Sequence, residues 1–158
     1  MKNICCILLI FTTNFLYAKE SSIDLFTLYK ELHADPELSY QEFKTSEKLA
    51  LILEDIGYEV KRNIGGNGVV ALLENGNGKT VMLRADMDGL PVEEKTGASY
   101  ASTKKSINAE GKEVFTMHAC GHDVHMTVLI GAAEYLYENK SAWQGNLLLV
   151  LEPAEEVS

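Results

Sequence analysis

The feature that constrains the fold most is an apolar run at residues 145–151, Gly-Asn-Leu-Leu-Leu-Val-Leu, with turn residues on either side. A run of this length between turn signals is typical of a strand buried inside a sheet. Before it, residues 124–139 carry apolar side chains at helical spacing, and Gly131 allows this helix to pack closely on a sheet. A helix that leads into a buried strand predicts a layered α/β domain.

The other segments agree with this class. Helices are predicted at residues 21–33 and 40–56, and Gly57 is a suitable C-terminal cap for the second helix. Strands are predicted at residues 58–62, 68–74 and 79–85. The linker Asn75-Gly-Asn-Gly predicts that the last two strands form a hairpin, because Asn and Gly tolerate positive φ angles. Residues 91–116 are polar and are expected to form a loop with a short hairpin.

The composition and net charge argue against two classes of partner, nucleic acids and anionic membranes. Apolar residues make up 46% of the 158-residue chain, as in a globular protein, and the net charge is −9. An acidic chain repels phosphate groups and anionic lipids, so we expect no nucleic-acid partner and no membrane association after removal of the leader described next.

The first 18 residues have the pattern of a cleavable signal peptide. Lys2 is followed by an apolar run at residues 4–11, and Ala18 precedes polar residues. We therefore expect cleavage after Ala18 and an exported protein, periplasmic or secreted; an uncleaved membrane anchor is the alternative. Cleavage would leave Cys120 as the one cysteine, and a leftover thiol in an exported protein is either reactive or occupied, for example by a metal.

Three clusters of polar residues carry candidate chemistry, and the first is Leu83-Arg-Ala-Asp-Met-Asp-Gly-Leu-Pro91. Asp86 and Asp88 directly follow a predicted strand, which is where open α/β sheets place ligand sites. Two carboxylates at this spacing could hold a metal or orient an imidazole. A solvated acidic turn before Gly89 is the alternative.

The second cluster, Met117-His-Ala-Cys-Gly-His-Asp-Val-His125, contains three of the four histidines of the chain. Thiolate and imidazole are preferred ligands of zinc and related metals, and Gly121 lets Cys120 and His122 reach one centre. Asp123 could orient a ligand. A buried free cysteine with structural histidines is the alternative, and His118 and His125 remain without an assigned role.

The third cluster is Glu152-Pro-Ala-Glu155-Glu156, directly after the apolar run. Adjacent carboxylates could divide the work, so that one holds a metal and the other accepts a proton. A surface acidic run is the alternative.

Together these motifs resemble the amidohydrolase branch of the dinuclear metallopeptidases of the aminoacylase and carboxypeptidase type, which includes hippurate hydrolase and indoleacetyl-amino-acid hydrolases. The matching segments are Leu32-His-Ala-Asp-Pro-Glu-Leu-Ser and the three clusters, in the same order and spacing. The resemblance implies an α/β fold of the zinc-exopeptidase type, a three-layer domain with a mixed central sheet and flanking helices. It covers nearly all of the chain after the signal peptide.

The resemblance also implies roles for individual residues. Cys120, His122 and Glu156 would be metal ligands for two divalent ions, with Zn, Mn, Co and Ni all compatible with the ligand set. Glu155 and Asp88 would be the catalytic residues, Glu155 as general base and Asp88 in support of the site. The reaction would be hydrolysis of an N-acyl amino acid by a metal-activated water.

The chain departs from the family pattern at several points. Glu152 stands where relatives carry Gln, and Asp86 stands where related branches carry a metal-binding His, so its role stays open. The family also has two further metal-ligating histidines and an inserted domain that often dimerises, neither of which is found in residues 19–158. We therefore expect the N-terminal part of a catalytic domain, incomplete at its C-terminus and inactive in this form, from a homo-oligomeric enzyme.

Two other functions remain open from the sequence. A metallo-dipeptidase or carboxypeptidase would use the same residues on a dipeptide substrate. A non-catalytic exported remnant that binds metal is the alternative of another class.

Overall fold

A computed structural model describes residues 23–157, so the predicted signal peptide lies outside the described residues. The principal elements, in chain order, are α1 (Leu25–Ala34), α2 (Phe43–Ile56), β1 (Glu59–Ile64), β2 (Gly68–Asn75), β3 (Thr80–Asp86), β4 (Lys105–Ile107), β5 (Glu113–Phe115), α3 (His122–Glu138) and β6 (Gly145–Glu152). Short 3-10 turns cover Lys140–Ala142 and Glu155–Val157.

The main sheet is mixed and has the strand order β1-β2-β6-β3. β6 pairs antiparallel with β2 and parallel with β3, which confirms it as a central strand. The predicted hairpin between β2 and β3 is wrong, because β6 lies between these two strands. The linker of residues 76–79 can cross the roughly 10 Å between strands two places apart, since an extended residue spans about 3.3 Å.

One core joins the three helices to one face of the sheet. On β2 and β6 alternate side chains enter it, and Leu149 and Leu151 are each 1% exposed. On the opposite face Val70, Leu148 and Val150 are half-buried, and Met82 on the edge strand β3 is 58% exposed. This second face carries no helix within residues 23–157.

All three predicted helix starts differ from the structure, and the first two differ for local reasons. α1 begins at Leu25 because the Asp24 carboxylate caps it, accepting the amides of Phe26 and Thr27; Ser21, the predicted start, lies outside the described residues. α2 begins at Phe43 rather than Tyr40, because Tyr40 has a φ of 64° and lies in the left-handed region.

The remaining predictions agree closely with the observed elements. Gly57 ends α2 with a φ of 115°, as expected for a left-handed cap. The strands β4 and β5 form the short hairpin expected within residues 91–116. α3 begins two residues earlier than predicted, so His122 and Asp123 lie in its first turn. Within residues 23–157, no helix is both long and apolar enough to cross a membrane.

Candidate metal centre

The three sequence clusters meet at one end of the sheet. β3 and β6 run parallel, with Asp86 paired in register to Glu152. The amide of Met87 donates to the Glu152 carbonyl at 3.0 Å, which continues the pairing past the strand end. The first turn of α3 brings His122 to the same place, within 4.0 Å of the Asp86 carboxylate. Side chains at the carboxyl ends of adjacent parallel strands therefore face one centre, as open α/β sheets favour.

His122 lies in the middle of the carboxylates. Its Nδ1 is 2.8 Å from the backbone oxygen of Asp88, which can only accept a hydrogen bond, so Nδ1 carries the proton. The lone pair of a neutral ring is then on Nε2. This atom lies 3.7 Å from Glu155 and 3.9 Å from Glu156. A backbone carbonyl on the other ring nitrogen is the arrangement that orients a metal-binding histidine.

Asp88 holds the turn that follows β6. Its side chain is fully buried, and its carboxylate accepts the amide of Glu155 at 3.2 Å and that of Glu156 at 3.0 Å. A third hydrogen bond comes from the Ser39 hydroxyl at 2.6 Å. Because the Asp88 carboxylate accepts both backbone amides, this residue positions the two glutamates.

The turn before these glutamates is strained and is supported from α2. Ala154 has a φ of 58° and is 2% exposed, a conformation that costs a non-glycine residue on the order of 1 kcal/mol. The carboxylate of Glu42, which is wholly buried, accepts the Ala154 amide at 2.7 Å and the Asn67 side-chain amide at 3.0 Å. Glu42 therefore fixes the direction in which the chain leaves β6.

Sequence reasoning missed Ser39 and Glu42. The only available signal was position, because Ser39 ends the family-like segment at residues 32–39 and Glu42 follows that segment by three residues. Nothing in their own spacing distinguishes them from ordinary residues of a polar turn.

Two groups of side chains have the geometry to hold a metal ion. Ligand atoms of Cys120, His122 and Glu156 all lie within 4.8 Å of one another, and the same holds for Asp86, His122 and His125. The buried Oε1 of Glu156 makes no hydrogen bond to the described residues. Thiolate, imidazole and carboxylate form a donor set suited to zinc and its neighbours, so these residues fit a divalent metal.

Cys120 reaches this centre from an exposed position. Gly121 separates it from α3 with a φ of 83°, which a glycine adopts without penalty. A hydrogen bond to Glu156 and the negative charge of that residue raise the pKa of the Cys120 thiol. Without a cation the site therefore favours the protonated thiol, and metal binding would release its proton.

Arg84 neutralises part of the acidic cluster. Its guanidinium lies 2.8 Å from Glu152 and 3.0 Å from Asp86. The charge of Asp86, and then that of Glu152, raises the pKa of Arg84, which stays charged. The glutamate that departs from the family pattern is thus paired with a cation on the neighbouring strand.

The two histidines without an assigned role lie in different environments. His118 is 4% exposed, and burial lowers its pKa to about 4, so the ring is neutral at physiological pH. It belongs to neither ligand group. His125 is exposed, and its ring lies 5.8 Å from that of His122, within the group that includes Asp86.

A cleft of about 580 Å³ opens beside Glu156. The loop after β3, the segment after α1 and the tip of the β4–β5 hairpin form its walls. Leu38, Leu90, Pro91 and Val157 supply apolar surface, and Asn108 lies at the hairpin tip. A volume of several hundred cubic ångströms with mixed lining is typical of small-molecule sites.

Comparison with known proteins gives a consistent result. The family model described as Peptidase family M20/M25/M40 matches residues 82–158. Thermostable carboxypeptidase 2 of Saccharolobus solfataricus is 41% identical over 140 residues, which are 87% of this chain and 33% of that protein. Hippurate hydrolase of Campylobacter jejuni is 43% identical over 127 residues, or 80% of this chain and 30% of that protein.

A solved structure agrees with the sequence comparisons. The Bacillus subtilis YXEP protein, described as a dinuclear metal binding peptidase from the M20 family, superposes with a TM-score of 0.74 at 34% identity. The match covers 84% of this chain and 35% of that chain. The chain thus spans about a third of the length of the relatives it matches.

Proposed function

Because this chain belongs to peptidase family M20/M25/M40, we propose that it forms part of a metal-dependent amidohydrolase that cleaves N-acyl amino acids. The observation that carries the proposal is the environment of His122, whose unprotonated Nε2 faces two adjacent glutamates at 3.7 and 3.9 Å. A relative of this chain bears the name hippurate hydrolase, and hippurate is an N-acyl amino acid.

The proposed ligands are Cys120, His122 and Glu156, which would contribute to a site for two divalent ions chosen from Zn, Mn, Co and Ni. Bound metal would supply polarisation of the amide carbonyl and acidification of a water molecule. His122 offers Nε2 because the Asp88 carbonyl holds its other nitrogen. Asp86 and His125 are candidates for the second ion, since they share His122 with the first group.

Glu155 is proposed as the general base. Its side chain is 37% exposed, so it can contact a substrate. Glu156 is 16% exposed and lies close to the other proposed ligands, Cys120 and His122. The carboxylate would accept a proton from the attacking water and pass it to the leaving amine. Asp88 would fix both glutamates through their backbone amides.

The substrate is proposed to occupy the cleft beside Glu156. Its apolar walls suit the acyl group, and its opening beside a proposed ligand would bring the amide bond to the site. A carboxypeptidase or dipeptidase is the second candidate, because a relative at 41% identity carries a carboxypeptidase name.

The wider setting is also a proposal. We infer that residues 1–18 export the protein, and that residues 19–158 are part of a larger catalytic domain. The half-buried apolar face formed by Val70, Leu148 and Val150 supports the latter, because such a face is normally covered by further elements. A homo-oligomeric whole enzyme remains an expectation from the family resemblance.

Assays with benzoyl-, acetyl- and indoleacetyl-amino acids and with dipeptides, each with added Zn, Mn, Co or Ni, test the proposal. The coding DNA is first read through and beyond the Ser158 codon, and any longer product is assayed beside the 158-residue chain. Glu155→Gln should retain metal but lose turnover by about 10²–10⁴-fold, the usual contribution of a general base. Full activity of this variant would contradict the role of Glu155. Failure of the longer product, in every metal form, to cleave any substrate would contradict the function.

A further inference from the structure

Behind the proposed metal centre, one buried histidine lies between two carboxylates. The Nδ1 of His33 is 2.6 Å from Asp123, and its Nε2 is 3.0 Å from Glu94. All three side chains are at most 9% exposed. The rings of Tyr29 and Tyr100 pack against the imidazole at 5.6 and 5.3 Å and keep water away from it.

This geometry makes His33 a cation. An ionised carboxylate can only accept hydrogen bonds, so both ring nitrogens must donate, and only the imidazolium has two protons to donate. Burial alone disfavours that charge. The hydrogen bonds and negative charges of Glu94 and Asp123 outweigh it, and the pKa of His33 is raised.

Through Asp123 this cation reaches the first turn of α3. One carboxylate oxygen of Asp123 accepts the hydrogen bond from the Nδ1 of His33, and the other accepts the amide of Val124 at 2.9 Å. The N-cap residue Gly121 has no side chain to cap the helix. The helix start that carries His122 therefore depends on the carboxylate of its second residue, which would be a costly buried charge without His33.

On its other side His33 is anchored to the loop before the second cluster. Glu94 accepts the hydroxyl of Thr96 and the amide of Ser102. The Ser102 hydroxyl in turn donates to the carbonyl of Thr116 at 2.8 Å. The network thus links α1, this loop and the start of α3, and it contains none of the proposed ligands.

We propose that His33 is a positioning residue for the metal centre. His33 holds Asp123 and thereby fixes the first turn of α3 and the position of the Nε2 of His122. The effect on metal binding rests on the proposed function, but the effect of His33 on the start of α3 can be tested in the chain without metal. Outer partners of metal ligands typically contribute about 10–100-fold to metal affinity.

The test compares His33→Gln and Asp123→Asn with Tyr58→Phe in the 158-residue chain. Tyr58→Phe is the matched control, because it removes a buried 2.9 Å hydrogen bond to the Ala133 carbonyl on the same helix. That contact lies about three turns from His122. All three variants should lose stability, so a thermal midpoint alone would not distinguish them.

Hydrogen exchange of the Val124 and His125 amides is the first readout and needs no metal. We expect about tenfold faster exchange in His33→Gln and in Asp123→Asn, and less than about twofold change in Tyr58→Phe. The double variant should be no faster than either single one, because both break the same link. If His33→Gln does not fold, Asp123→Asn alone decides.

Cobalt(II) titration, followed by absorption bands of the metal and its thiolate, is the second readout. Dissociation constants should rise about 10–100-fold in His33→Gln and Asp123→Asn and stay within about twofold in Tyr58→Phe. Cobalt binding with exchange and affinity unchanged in both network variants would overturn the inference. If the wild type binds no cobalt while both network variants show the accelerated exchange, the metal centre in this chain is refuted and the positioning role is supported.

Discussion

The Asp88 carboxylate lies 3.0 Å from the backbone nitrogen of Glu156, so a residue after β3 holds the chain where it leaves β6. With the Glu155 amide and the Ser39 hydroxyl it has three donors and no exposed surface. The proposed ligand and the proposed base are therefore oriented by one buried side chain.

Substitution of Asp88 should be costly in this structure. Asp88→Asn replaces an acceptor oxygen by an amino group that faces donors, and the loss should be on the order of 1–3 kcal/mol in the free energy of unfolding. Ser39→Ala removes one donor only and serves as the milder comparison. Urea unfolding at neutral pH measures both, and a wild-type midpoint for Asp88→Asn would argue against this role.

Zinc should protect Cys120 from alkylation. The thiol is exposed, so it reacts with a maleimide unless it is bound to a metal. We expect at least about tenfold slower labelling with zinc and little change with magnesium, which prefers oxygen ligands. Peptide mass analysis separates Cys120 from Cys5 and Cys6.

The protection should depend on the other proposed ligands. His122→Ala and Glu156→Gln should each reduce it, while Glu110→Gln, an acidic residue at the hairpin tip, should not. Equal protection in all variants would mean that zinc binds Cys120 without this centre.

Replacing Glu152 by the glutamine typical of the family should change stability little. The ion pair with Arg84 is half-exposed, and such pairs contribute about 0–1 kcal/mol. Arg84 also keeps Asp86 as a partner. Urea unfolding of Glu152→Gln checks this, and a loss well above 1 kcal/mol would show that the pair supports the β3–β6 junction.

The stabilising contribution of His33 should depend on pH. Its folded-state pKa is raised, so the contribution is complete below the unfolded value of about 6.5 and is lost as the pH rises through the folded value. The stability difference between wild type and His33→Gln should therefore shrink at alkaline pH. Urea midpoints from pH 6 to 9 measure it, and a difference that grows with pH would contradict a charged His33.

Local patterns in the sequence were sufficient for most elements and for the clusters that carry the site. The apolar run at residues 145–151 predicts a buried central strand, and in the structure its alternate side chains enter the core while the others are half-buried. Cys120 and His122 stand out because thiolate and imidazole at that spacing are preferred metal ligands, whereas the two glutamates could equally have formed a surface acidic run. The start of α2 was not predictable locally, because it depends on the left-handed φ of Tyr40.

The tertiary structure alone decided the order of the strands and the partners of the site residues. The Asn75-Gly-Asn-Gly linker predicted a hairpin between β2 and β3. Instead β6 lies between these two strands, because pairing with both of them satisfies the backbone hydrogen-bonding groups of β6. His33 and Asp123 are 90 residues apart, and Ser39 and Asp88 are 49 apart. Such contacts depend on how distant segments pack in three dimensions, so residue spacing along the chain carries no signal for them.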